Sequence, residues 1–377
     1  MPPSIWLLLS FIGGCVFLWL VVFKLPAGIG ALANHLMLTG NEPLAEVLFR
    51  LRLVLIYPAD RVYRVMGLSP ALCPLMLARG ELSTCLMLLG KFEASARINR
   101  EDCAVLEKLG KDASYASALG RLADMIRLSG DLQEADCLSQ EAVAVAESCY
   151  DRIDHTADGY QQLLNDATIA LVGEVLYGRA SLMETFERYQ EAKQLRERAL
   201  NLINKNFGQK ESLFTTYGMM LGETYLKLEQ YDKAAPLIMA ALETRRKQLP
   251  KNHMLLISGE NKLGRLYCLQ GRLDEAEPLL VSASKVTKKW NADYGEYLAD
   301  VARLRSKQGK PIALKLFDQA LSKHEQLFGK DNPVLLPVLE DYAAALQSAG
   351  DSIRSSILKE RATSIRQRFK IDGRKDS

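Results

Sequence analysis

The chain has 377 residues, 48 Lys+Arg against 45 Asp+Glu, and is 25% charged and 48% hydrophobic. These proportions exclude a disordered tail protein, a collagen-like fibre and a polytopic membrane protein, each of which needs a skewed balance. A net charge of +3 with 7% aromatic residues gives no nucleic-acid signature, and a chain rich in Ala, Leu, Glu, Lys and Arg favours helix over strand.

In chain order, the first predicted element is Ile5 to Phe23, an uncharged run closed by Lys24. As a helix rising about 1.5 Å per residue it matches the ~30 Å hydrocarbon core, with Trp6 and Lys24 at headgroup depth. A transmembrane helix over residues 5–24 is therefore expected. A cleaved signal peptide fits less well, because nothing basic precedes Ile5 and the apolar core exceeds about 7–15 residues. Ile12-Gly13-Gly14-Cys15 resembles a lipoprotein acylation box, yet Val16 to Phe23 would remain as an apolar tail. Lys24, Arg50 and Arg52 all follow the run, so the positive-inside tendency predicts a single-pass protein with its bulk in the cytoplasm. Seven cysteines without a CxxC pair fit reduced thiols in a reducing compartment.

Residues 25–74 read as a juxtamembrane connector. Leu25-Pro26-Ala27-Gly28 would end the spanning helix, and Pro58, Pro70 and Pro74 punctuate the stretch. Ala45 to Tyr57 is apolar but interrupted by Arg50 and Arg52, which suits an interfacial or repeat-docking helix. Ala33, Gly40, Ala45 and Phe49 have the spacing of a degenerate repeat.

From there the chain repeats. Ala192, Ala234 and Ala276 stand 42 apart, as do Leu195, Leu237 and Leu279, and Ala199, Ala241 and Ala283. Twelve residues before the first three lie Ala180, Gly222 and Gly264, and three beyond those come Met183, Tyr225 and Tyr267. The pattern extends through Ala123 and Ala135 around Gly130, Ala302 and Ala313 around Gly309, Ala343 before Gly350, and Ser83 before Gly90. Apolar residues at i, i+3, i+4 and i+7 on either side of a Gly or polar pair predict two amphipathic helices joined by a turn. Small residues twelve apart let the two helices approach to roughly 8–10 Å. One hairpin cannot bury its apolar face alone, so stacking follows, and the expected fold is an all-α solenoid over residues 75–370 with a basic tail at 371–377.

Leu-Gly-x-x-Tyr, a Gly-containing turn and Glu-Ala-x-x-Leu-x-x-x-Ala resemble the tetratricopeptide repeat, here with the longer period of kinesin light chains. Phe328-Gly329-Lys330-Asp331-Asn332-Pro333 is similar to the turn that joins such repeats, and Leu249-Pro250-Lys251-Asn252-His253 and Phe207-Gly208-Gln209-Lys210 fall at equivalent places. Two departures stand out: Ser355 replaces the expected Ala, and Ala135 to Ala192 spans 57 residues instead of 42. The excess is expected near Cys149 to Tyr160, as a lengthened loop or a helix extension.

No catalytic chemistry is legible. His35, His155, His253 and His324 form no HExxH and pair with no Cys at ligand spacing, and no phosphate loop, dinucleotide fingerprint or GxSxG elbow occurs. The expectation is a non-enzyme with no metal and no cofactor. Arg354 to Ser377 carries eight Lys/Arg against three acids, which suits a solvated capping helix.

In tetratricopeptide arrays the first helix of each unit lines the concave face, and the resemblance implies groove positions at Met219, Glu223 and Lys227, at Asn261, Arg265 and Cys268, and at Ala299, Arg303 and Lys307. Asn261, Arg265, Arg303 and Lys307 would make a basic, hydrogen-bonding strip for an acidic or carboxylate-ended peptide. The function expected is a membrane-anchored scaffold or adaptor that binds a partner protein or peptide on that face. The alternative is a periplasmic or lumenal assembly or quality-control factor, chaperone-like, using the same solenoid.

Overall fold

The computed structural model describes residues 25–38, 41–65, 74–208, 212–251, 253–286 and 293–371. Among them are sixteen α-helices, one 3-10 turn and no strand. Two compact units divide after Ile98. The first contains α1 (Leu25–Leu38), α2 (Glu42–Val65), α3 (Pro74–Leu88) and the start of α4 (Phe92–Leu109). Its core is Ala33, Ala45, Phe49, Leu82, Cys85 and Leu86, each at most 3% exposed.

The second unit holds six helical hairpins. They are α5 (Ala113–Ser129) with α6 (Leu132–Tyr150), α7 (Gly159–Thr185) with α8 (Tyr189–Phe207), and α9 (Ser212–Lys227) with α10 (Tyr231–Gln248). Then come α11 (Met254–Leu269) with α12 (Leu273–Val286), α13 (Tyr294–Lys307) with α14 (Ile312–Phe328), and α15 (Leu336–Ser348) with α16 (Ser352–Phe369). Each first helix packs on its own second helix and, from α7 onward, on the second helix of the hairpin before it, as a solenoid requires.

The small-residue pairs are where the two helices touch. Ala180 and Ala192, Gly222 and Ala234, and Gly264 and Ala276 are buried. A Cβ on Gly222 would come within 2.7 Å of Ile238, and one on Gly264 within 2.7 Å of Leu280, so glycine there is a packing requirement. Ser355 is fully buried and its hydroxyl donates to the Ala343 carbonyl at 2.8 Å. Serine is thus tolerated in place of Ala because its one polar group has a partner. Ser83 and Ser95, twelve apart in the first unit, meet hydroxyl to hydroxyl at 2.8 Å.

The turns close in one way. Gly130, Gly271, Gly309 and Gly350 have φ between +67° and +101°, and Glu187 and Glu229 adopt the same left-handed conformation at +60° and +58°. The following residue donates its N–H back over five residues, as Asp131 does to Ile126 and Arg188 to Met183. This ends the first helix with its last carbonyls satisfied. The fifteen additional residues before Ala192 are accommodated largely by α7, which runs for 27 residues after a turn at 151–158.

The expected single-pass localisation is corrected. No helix among the described residues is long and apolar enough to cross a membrane. The longest, α2 and α7, are interrupted by charge, with Glu46, Arg50 and Arg52 on one and Asp166, Glu174, Arg179 and Glu184 on the other. The uncharged run at 5–24 lies outside the described residues, as does most of the tail at 371–377.

Candidate functional site

The first helices of successive hairpins carry a ladder of ion pairs. It begins on α5, where Arg121 lies 3.5 Å from Glu174 of α7; on α7, Glu184 accepts from Arg196 Nη1 at 2.7 Å and from Lys227 Nζ at 3.0 Å. On α9, Glu223 accepts from Lys262 Nζ at 2.5 Å and from Arg265 Nη1 at 3.2 Å. Arg265 then reaches Glu296 at 2.9 Å and Asp300 at 3.4 Å on α13. Arg303, also on α13, pairs with Asp300 and with Asp341 on α15. Six consecutive first helices are joined in this way.

Burial decides the electrostatics. Burial pushes the Glu223 carboxyl up, but Lys262 and Arg265 outweigh it and hold Glu223 well below the usual carboxylate range. Glu184 behaves alike, burial being overcome by Arg196 and Lys227. Asp300 goes the other way: its side chain is fully enclosed, and burial raises its pKa despite Arg265 and Arg303. Asn261 is the hydrogen-bonding neighbour that lowers the Asp300 pKa against burial, and both residues are 1% exposed, so these two polar groups in the middle of the ladder are sealed from solvent together. Such groups are costly to bury unpaired.

The structure brings together Glu223, Arg265 and Arg303 from the expected groove positions, with Lys227 joined through Glu184. Lys307 donates to the Cys268 carbonyl at 3.0 Å. Met219, Cys268 and Ala299 are buried at 1%, 4% and 1%; Met219 is packed in the core, its Cε 3.2 Å from where a Cβ on Gly259 would sit. Sequence reasoning missed the partners that neutralise the cations: Glu184, Glu296, Asp300 and Asp341. It also missed Lys262. The signal was present as spacing. Glu223 to Lys262 is 39 residues and Arg303 to Asp341 is 38, each one period less one helical turn, where stacked first helices face each other. Among the described residues no group of three His, Cys, Asp or Glu side chains could hold a metal ion.

Comparison with known proteins gives the following. Residues 212–289, spanning α9 to α12, match the tetratricopeptide repeat family. No curated protein sequence matches. A Rap protein complexed with Competence and Sporulation Factor has a TM-score of 0.53 and 13% identity, over 92% of this chain and 98% of its own. The apo form of RapI has a TM-score of 0.52 and 13% identity, over 79% of this chain and 99% of its own. A kinesin light chain with nearly identical TPR-like repeats from Podosopora anserina has a TM-score of 0.37 and 19% identity, over 52% of this chain and 95% of its own. The described chain is thus an all-helical, tetratricopeptide-like repeat protein, similar in fold to the Rap proteins.

Proposed function

We propose that this protein binds an extended segment of a partner protein or peptide along the inner face of α9, α11 and α13, without catalysis. The observation that carries the reading is the line of partly exposed charges along the ladder, with Lys227, Glu296 and Asp341 at 31%, 43% and 35% side-chain exposure. These cations and carboxylates supply both signs of charge along the same line, so a ligand with mixed charge suits it better than a uniformly acidic one. The likeness in fold to a Rap protein seen in complex with Competence and Sporulation Factor supports binding as the use of such a solenoid.

A random peptide display library, selected on the full chain, tests this. Enriched peptides should lose at least about tenfold in affinity on Glu296→Ala or Asp341→Ala, the more exposed carboxylates of the ladder. They should be unaffected by Lys247→Ala, an exposed residue on α10. Equal binding to all three variants, or no enrichment, overturns the reading.

A further inference from the structure

Among the described residues, the hydrogen bonds and ion pairs between hairpins of the second unit join sequence neighbours, except at one place. The turn ends of the first two hairpins are in contact with the last hairpin, roughly two hundred residues later. Asn332, 4% exposed, donates from Nδ2 to the carbonyl of Leu128 at 2.8 Å. That carbonyl belongs to the last turn of α5, where no intrahelical N–H is available to it. Gly130 lies beside the contact, and a Cβ there would come within 3.4 Å of Asn332 Nδ2. A second contact lies one hairpin on: Arg366, in the last turn of α16, donates Nη2 and Nε to the two carboxylate oxygens of Glu187 at 2.6 and 3.3 Å. The same guanidinium reaches Glu340 at the start of α15 at 2.5 Å.

These residues sit on matching edges. Asn332 precedes α15, Glu340 lies near its start and Arg366 closes α16, so all three occupy the edge where one hairpin joins the next. Leu128, Gly130 and Glu187 occupy the opposite edge, where first helix turns into second. The sixth hairpin has therefore come round by one superhelical turn and rests on the first and second.

Two details separate these contacts from incidental ones. Asn332 already has a local task, accepting the Val334 N–H through Oδ1 at 3.0 Å to cap the 3-10 turn. Its amide nitrogen is left to reach across. His253, at the equivalent joint, caps α11 through Nδ1 with no such reach among its described contacts. Glu187, in turn, holds a left-handed φ that glycine takes at most of the other turns. A non-glycine residue there is strained. The bidentate fork to Arg366 gives a reason for a carboxylate in that position.

We propose that Asn332 and Arg366, with Leu128 O and Glu187, form a clasp that holds the solenoid in one closed turn and sets how far its inner face opens. The clasp goes beyond peptide binding and is tested without any ligand, so failure of the peptide selection leaves its test intact. Small-angle scattering and amide hydrogen exchange are measured on the full chain and on Arg366→Ala, Glu187→Gly and Glu229→Gly. Circular dichroism confirms equal helicity. Arg366→Ala and Glu187→Gly should enlarge the radius of gyration beyond error and quicken exchange at residues 329–335 by at least about threefold. Glu229→Gly relieves the same backbone strain without touching the clasp and should change neither. Glu187→Gly suits its own φ, so it folds even where loss of Arg366 proves damaging. Wild-type dimensions and exchange in Glu187→Gly overturn the proposal. So does an equal effect of Glu229→Gly, which would assign the change to turn geometry.

Discussion

Arg265 Nη1 lies 3.2 Å from Glu223, one 42-residue period earlier in the chain. The contact converts a sequence period into a physical one, because equivalent positions on successive first helices are adjacent in space. Both side chains are mostly enclosed, at 18% and 14% exposure. Removing one partner strands the other. Arg265→Ala should destabilise by roughly 3 kcal/mol, more than an exposed ion pair such as Lys247–Glu243, worth below about 1 kcal/mol. Chemical denaturation of both variants checks the ordering.

The same pair sets a pH dependence. The Glu223 carboxyl is held below its unfolded value by Lys262 and Arg265 against burial. Its stabilising contribution is therefore complete above the unfolded pKa, near 4.3, and is lost as pH falls toward the folded value. Asp300, raised by burial, has the opposite sign and partly offsets that loss as pH falls. Glu223→Gln should flatten the acid limb of the thermal midpoint between pH 5 and pH 3, whereas Asp300→Asn should steepen it.

Helical glycines divide by the space around them. Gly264→Ala drives a methyl to 2.7 Å from Leu280 Cδ2 and 3.2 Å from Leu279 Cβ, and should cost about 1–3 kcal/mol. Gly80, inside α3, has nothing within 4 Å of an added Cβ. Gly80→Ala should instead stabilise by about 0.5–1 kcal/mol through the lower entropy of the unfolded chain. Thermal melts of the two variants should move in opposite directions.

His253 caps α11 by accepting the Leu255 N–H through Nδ1 at 3.2 Å, which requires a neutral ring. Burial, then Arg245, lowers its pKa below the usual 6.5. A depressed histidine contributes fully above 6.5, and the contribution fades as pH falls through the folded value. His253→Asn keeps a cap that does not titrate and should remove that part of the loss between pH 7 and pH 5. Stability measured across that range is the check.

Much of the fold could be read from the residues alone. Alanines at 192, 234 and 276, with Ala180, Gly222 and Gly264 twelve residues earlier, announce hairpins whose helices must approach closely, and burial at these sites is the physical counterpart. The groove cations could be placed because position on a first helix follows from the period. Asp300, three residues before Arg303 on the same helix, was within reach of a local pattern, whereas Asp341 faces Arg303, and Asp300 faces Arg265, only after two different helices have stacked. The Glu187–Arg366 contact, 179 residues apart, depends on accumulated superhelical rotation, which no local pattern encodes. The run at 5–24 lies outside the described residues, and no helix among those is long and apolar enough to cross a membrane.

Thiol chemistry gives an independent check on burial. Of the five cysteines among the described residues, Cys137 is exposed and Cys85, Cys103, Cys149 and Cys268 are buried. Burial pushes the Cys103 thiol up to about 11, so thiolate is scarce at neutral pH. A maleimide at pH 7 should modify Cys137 well before the other four, as peptide mapping by mass spectrometry would show.

Hydrogen exchange on the full chain, with and without a library-selected peptide, bears most directly on where a partner sits. Protection should appear on α9, α11 and α13 around Glu223, Asn261, Arg265 and Asp300. Protection confined to the second helices α10, α12 and α14, or none at saturating peptide, would contradict a binding role for the inner face.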